Sequence, residues 1–175
     1  MSAQQASFVE FYAEARDDCL RAVYASVGNR QAAEDCVAEA FARAWASWRK
    51  VSAHPVPRAW VMKTALNLSV SSWRRRRREV PLDDASERDR WPLGSGGTDP
   101  AADAAGADSA IMTFLGGLPL RQRQVIALRV FLGFDTAATA QALGIAPGTV
   151  TAHLTRATSA LREQLTGAYP QEEQP

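Results

Sequence analysis

The chain has two cysteines, two histidines and no apolar run that approaches the length of a bilayer, and each scarcity removes a class of explanation. Cys19 and Cys36 supply neither a disulfide framework nor a zinc site. Both fall on the apolar faces of predicted helices, where they read as buried thiols. His54 and His153 lie almost a hundred residues apart, and no nucleophile, acid–base pair or ligand cluster gathers around either. The sequence therefore offers no catalytic residue, no metal ligand, no cofactor and no small-molecule substrate site. The opening Met1-Ser2-Ala3-Gln4-Gln5 has neither the basic nor the apolar region of a signal peptide. No stretch comes near the ~20 apolar residues that span a membrane. The expectation is a cytoplasmic protein with no membrane partner.

Net charge is also scarce, at +1 over 175 residues, but that figure averages two opposed segments. Residues 1–78 carry 13 Lys/Arg against 7 Asp/Glu, whereas 79–108 carry 2 against 8. Such asymmetry points to a nucleic-acid partner beside an acidic tether. The basic excess culminates in Arg74, Arg75, Arg76, Arg77 and Arg78. Five adjacent guanidinium groups cannot be buried or paired locally at reasonable cost, and like-charge neighbours weaken the helix that bears them. One reading is a solvated helix end whose charge suits the C-terminal dipole. The other is an external anion, with phosphate the first candidate.

Helical periodicity runs through the rest. Phe8, Phe11, Tyr12, Ala15, Cys19 and Ala22 trace one face of a first helix. After Gly28-Asn29, with Asn29 a suitable N-cap, Ala33, Cys36, Val37, Ala40, Phe41, Ala44, Trp45 and Trp48 mark four turns of a second. At that spacing Trp45 and Trp48 read as core. Beyond Pro55 and Pro57, a third helix packs through Trp60, Val61, Thr64, Ala65 and Leu68 and runs into the arginines. Three such helices can bury a common core as a small bundle. Residues 79–108, rich in Pro, Gly and acid, read as a flexible acidic linker. Thirty flexible residues reach about 30 Å on average and roughly 100 Å when stretched. The fold class is all-α, as two small helical domains: 1–78, a three-to-four-helix bundle, and 109–166, joined by linker 79–108 and followed by a disordered tail at 167–175.

The second domain has the grammar of a helix-turn-helix. Ala140 is small where two helices would touch, and Gly144 sits where the turn needs positive φ. Ile145 and Val150 would plug the angle, and Pro147 fits a first helical turn. The start of the last helix would then offer Pro147, Gly148, Thr149, Thr151, Ala152 and His153 to a major groove, with Arg156 one turn on for phosphate. An ordinary helical hairpin is the alternative. No Arg, Lys, Asn or Gln lies between Pro147 and Leu154, so bidentate base readers are missing. Any DNA affinity here would lean on phosphates and groove shape.

Two motif sets carry a resemblance. Ala33-Glu34-Asp35-Cys36-Val37-Ala38-Glu39-Ala40-Phe41-Ala42-Arg43-Ala44-Trp45, with Pro57-Arg58-Ala59-Trp60-Val61 through Asn67 to the arginines, resembles region 2 of bacterial sigma factors of the extracytoplasmic-function (ECF) group. Leu118-Pro119-Leu120-Arg121-Gln122-Arg123-Gln124-Val125, then Ala142-Leu143-Gly144-Ile145 and Gly148-Thr149-Val150, resembles region 4 of the same family. The resemblance implies a promoter-recognition subunit that binds core RNA polymerase and promotes DNA melting to initiate transcription. It implies that Asp35, Glu39 and Arg43 meet the clamp helices of the largest polymerase subunit. Trp60, Lys63, Asn67 and Arg74 to Arg78 would engage the −10 element. The helix-turn-helix would read the −35 element and touch the polymerase flap, and an anti-sigma factor would be a common further partner.

The sequence departs from that family at several places. Ala138-Thr139-Ala140 replaces the usual Glu-Ile-Ala, removing a carboxylate and an apolar plug. Thr151-Ala152-His153 replaces a common Lys-Ser-Arg, and Leu66 and Ser71 stand where Arg and Asp are frequent. Weaker autonomous DNA binding is expected. A stand-alone helix-turn-helix repressor, with 1–78 as a sensing domain, is the competing reading and requires duplex binding without polymerase.

Overall fold

The computed structural model describes residues 2–79 and 106–168, with side chains over 2–72, 111–164 and at 166. Residues 80–105 and 169–175, which hold most of the expected linker and tail, lie outside the described residues, as do the side chains of Arg74 to Arg78. Every described element is a helix: α1 (Ala3–Val27), α2 (Arg30–Ala46), α3 (Trp48–Val51), α4 (Pro57–Glu79), α5 (Gly106–Gly116), α6 (Leu120–Phe131), α7 (Thr136–Leu143) and α8 (Pro147–Ala168).

Local chemistry sets the ends of these helices. Ser2 and Gln5 close a capping box at the start of α1, the Gln5 side chain accepting from the Ser2 N–H at 2.7 Å. Gly28 ends α1 with φ 72°, a value that glycine adopts without Cβ strain. Asn29 Oδ1 accepts from the Ala32 N–H at 2.8 Å, the cap expected for α2. Asp135 caps α7 through the Ala138 N–H at 2.7 Å.

Helices α1, α2 and α4 form one bundle; α6, α7 and α8 form the other, with α5 braced on α1 and α8. The two are not separate bodies. Helix α6 packs along α1 and α7 lies on α4, so one apolar core runs through both halves. This explains the C-terminal half of α1, where Ala22, Val23, Ala25, Ser26 and Val27 are all buried. Small side chains let neighbours approach from several sides, and the buried Ser26 hydroxyl is satisfied by donating to the Ala22 carbonyl at 2.7 Å. The N-terminal half carries an aromatic cluster instead. Phe8 meets Trp45 and Trp48 at 5.0 and 5.2 Å between ring centroids, and Tyr12 meets Phe41 edge-on at 4.9 Å.

Several expectations need correction. Helix α2 stops at Ala46, because Ser47 turns out of helical geometry (φ −121°, ψ 25°) and starts the short α3. That break sends Trp48 inward, 5% exposed, with its Nε1–H donating to Ser7 Oγ at 2.8 Å. Trp45 stays 40% exposed and is not core. On α4 the buried face is Ala59, Val61, Met62, Ala65, Leu66 and Ser69, whereas Trp60, Thr64 and Leu68 are only half-buried. Helix α4 also serves α7, and this second neighbour widens its buried arc. Ile111, expected on the packed face of α5, is exposed. The helices overrun the expected domain limits: α4 reaches Glu79, α5 begins at Gly106 and α8 ends at Ala168.

Candidate nucleic-acid interface

Helix α4 is held at its start by Arg58, whose guanidinium donates to the Glu14 carbonyl at 2.7 Å and lies 3.5 Å from Asp18 on α1. Before it, His54 folds back on Val56, with Nδ1 2.9 Å from the Val56 carbonyl. From this fixed start, Trp60, Lys63, Thr64 and Asn67 descend one stripe of the helix at i, i+3, i+4 and i+7 spacing. Thr64 ties its hydroxyl to the Trp60 carbonyl at 2.9 Å. Together with His54, Ala59 and Gln141 they line a cavity of about 270 Å³. That is just below the ~300–1,000 Å³ usual for small-molecule sites. Its walls supply an indole face, an ammonium, a hydroxyl, a carboxamide and an imidazole.

The structure thus brings Trp60, Lys63 and Asn67, the residues that the resemblance implied for the −10 element, together at one cavity. It adds His54, Thr64 and Gln141, which sequence reasoning did not assign. Asn67 also lines a second cavity of about 260 Å³ with Leu66, Val70 and Ser71 from α4, Arg121 and Gln124 from α6, and Ala142 and Leu143 from α7. The arginines follow on the same helix, since α4 is continuous to Glu79. Five successive positions at 100° per residue go all the way around a helix axis.

In the second half, Gly144 has φ 65° and ψ 39° and its N–H returns to the Ala140 carbonyl, which makes the tight turn between α7 and α8. Val150 is 1% exposed and Ile145 half-buried, so both plug the inter-helix angle. Pro147 opens α8, and Gly148, Thr149, Thr151 and Arg156 are exposed. Ala152 and His153 are half-buried, and His153 Nδ1 is enclosed with no hydrogen-bond partner among the described residues. Thr151 and Thr155 donate to the carbonyls four residues earlier at 3.3 and 3.0 Å, leaving hydroxyl lone pairs outward.

On α2, Asp35, Glu39 and Arg43 recur every four residues on the exposed side. Glu39 and Arg43 pair at 2.7 Å, and Asp35 accepts from Gln31 at 3.0 Å. Beneath this face the thiols of Cys19 and Cys36 are both buried. Burial pushes the Cys19 thiol up to about 12, against a smaller pull down from Arg58 and a push up from Asp18. Among the described residues no cluster of His, Cys, Asp and Glu could hold a metal ion, and no helix is long and apolar enough to cross a membrane.

The family model for sigma-70 region 2 matches residues 11–79, and that for sigma-70 region 4 matches 108–161. The RNA polymerase sigma-E factor of Streptomyces coelicolor is 31% identical over 159 residues, covering 90% of this chain and 85% of that protein. Its counterpart from Streptomyces avermitilis is 32% identical over 162 residues, covering 90% and 84%. Among solved structures, the sigma factor RpoE in complex with the anti-sigma factor NepR from Bartonella quintana superposes with a TM-score of 0.75 at 24% identity, over 91% of this chain and 97% of that one. CnrH in complex with the cytosolic domain of CnrY gives 0.67 at 20% identity, over 94% and 91%.

Proposed function

Because the chain belongs to the sigma-70 family of RNA polymerase initiation factors, in the ECF group, we propose that three of its surfaces divide the work of promoter recognition. The first is the α4 cavity. Melting a duplex costs about 1.4 kcal/mol per stacked step, and a protein offsets that by holding an extruded base and the displaced strand. Trp60 offers a stacking face, Asn67 a donor–acceptor pair for a base edge and Lys63 a charge for the adjoining phosphate. The arginines beyond continue the grip on the backbone. The observation that carries this reading is the convergence of Trp60, Lys63 and Asn67 on one cavity with further polar walls.

The second surface is the start of α8, directed at the −35 element. With Thr149, Thr151, Ala152 and His153 as its chemistry, it takes up affinity from groove shape and phosphate, Arg156 included, and contributes modestly to sequence choice. The third is the Asp35–Glu39–Arg43 face of α2, docked on the polymerase clamp helices, with region 4 reaching the flap. The acidic segment between the halves tethers them, and its charge suits a channel that otherwise holds nucleic acid. No catalytic group or cofactor is needed, and the site of action is the cytoplasm. An anti-sigma factor is a further partner, supported by the neighbour solved with NepR.

The test is transcription in vitro with core polymerase on a cognate promoter. Trp60→Ala and Asn67→Ala should each reduce opening at least tenfold while leaving core binding intact. Replacing Arg74 to Arg78 with Gln should flatten the log–log salt dependence by roughly 2 to 3 units if about three phosphate contacts are lost. An unchanged slope would detach the arginines from DNA. Absence of both promoter-specific product and complex with core would remove the whole assignment.

A further inference from the structure

Helix α8 turns Val150 and Ala157 into the core, at 1% and 0% exposed. At 100° per residue, the opposite side carries Gly148, Ala152 and Thr155, with Thr151 at its edge. Thr151 and Thr155 are exposed there. His153 lies off this side, about 60° from Val150, half-buried and with Nδ1 enclosed. Thr149 and Arg156 share the other flank. The most outward position in the second turn is therefore Thr155, one that the helix-turn-helix pattern did not single out.

The hydroxyls on this side have a fixed polarity. Thr155 Oγ1 donates to the Thr151 carbonyl at 3.0 Å, and Thr151 Oγ1 to the Pro147 carbonyl at 3.3 Å. Each proton is committed inside the helix, and the lone pairs are left outside. No Arg, Lys, Asn or Gln stands among residues 148–155 to add a donor. The face presents acceptors and methyl groups. In a major groove, guanine and thymine offer acceptors (N7 and O6, or O4), whereas adenine N6 and cytosine N4 are amino donors. Turning a hydroxyl proton outward to meet an acceptor breaks a bond to the helix, which disfavours that alternative by about two- to tenfold. Thr151 and Thr155 are separated by ~6 Å of helical rise, against ~3.4 Å per base step. They face bases about two steps apart.

We propose that Thr155, together with Thr151, determines specificity at the −35 element by accepting hydrogen bonds from the exocyclic amino groups of adenine or cytosine. The element then carries amino-bearing bases about two steps apart, with the Ala152 methyl packed between the two contacts. The inference rests on the −35 reading above, adds Thr155 to its residues and assigns the bases they select.

The test uses holoenzyme assembled from core polymerase and the full chain, with promoters selected from DNA randomised across the −35 element. Selection should return adenine or cytosine at two positions about two steps apart. Replacing a favoured base by its analogue without the amino group, purine for adenine or 2-pyrimidinone for cytosine, should weaken promoter binding by about three- to tenfold. Thr155→Val keeps the shape but loses the acceptor, so that holoenzyme should bind intact and analogue promoters alike at one of the two positions. Thr151→Val should do the same at the other, and Thr155→Ser should keep the parent's difference. Removing the purine N7 of the same base pair, with a 7-deazapurine, should change nothing. Guanine or thymine selected at both positions, sensitivity to N7 in place of the amino group, or an equal analogue penalty in the parent and in Thr155→Val would each overturn the proposal. A −35 element whose scrambling leaves binding unchanged would remove the −35 reading itself, and the proposal with it.

Discussion

Arg123 makes the sharpest quantitative prediction. It is 2% exposed on α6, yet Nε and Nη1 have no partner among the described residues and Nη2 reaches the Leu118 carbonyl only at 3.5 Å. Burial draws its pKa down from the usual guanidinium value, as expected for a charge removed from water without a counterion. On α7, Thr139 Oγ1 is likewise buried and unmatched among the described residues. Two unsatisfied buried donors cost about 1–3 kcal/mol each. Arg123→Met fills similar volume with no donor and forfeits one long hydrogen bond worth about 1 kcal/mol at most. The net expectation is a gain of about 2 kcal/mol, or a rise in Tm of roughly 4–8 °C for a chain of this size. Urea and thermal melts of the full chain measure it. A loss of more than 1 kcal/mol on Arg123→Met would show that the guanidinium is already satisfied.

Gly144 and Gly133 have φ of 65° and 61°, and an added Cβ meets nothing within 4 Å at either. Gly144→Ala and Gly133→Ala should therefore cost the same, about 1–2 kcal/mol of left-handed backbone strain, and a urea midpoint showing more than 3 for one alone would contradict this. The Cys19 thiol, followed by thiolate absorbance in a Cys36→Ser background, should stay protonated until pH nears 12 in the folded chain but ionise near 9 when unfolded. Its folded pKa is the higher, so its contribution is complete below pH 9 and lost as pH rises towards 12; a native inflection near 9 would refute burial. Glu39→Lys breaks an exposed pair and should shift the melt by less than about 1 kcal/mol while weakening core polymerase binding about tenfold. Unaltered binding in a pull-down would free α2 from that role.

Much of the candidate site was legible because helices impose local rules. The resemblance named Trp60, Lys63 and Asn67, and one continuous helix brings them to one cavity at i, i+3 and i+7; Gly144 and Pro147 announced the turn. His54 and Thr64 were not legible. Thr64 read as a packing residue, and His54 gains meaning only from Gln141, 87 positions away. Trp45 and Trp48 show the limit on α2: the same periodicity covered both, and a single non-helical residue, Ser47, separated their fates.

The sequence by itself determined the helices, their caps, the turn of the second half and the placing of basic charge at the end of α4, because each depends on residues within a turn or two. Only the tertiary structure decided that α6 lies along α1 and α7 on α4. That choice buried Leu66 and left Arg123 with no counterion among the described residues, and it set Gln141 against His54. Periodicity says which face of a helix is apolar but not which neighbour will cover it. Such pairings come from the summed burial of surfaces remote in the chain, which no local pattern encodes.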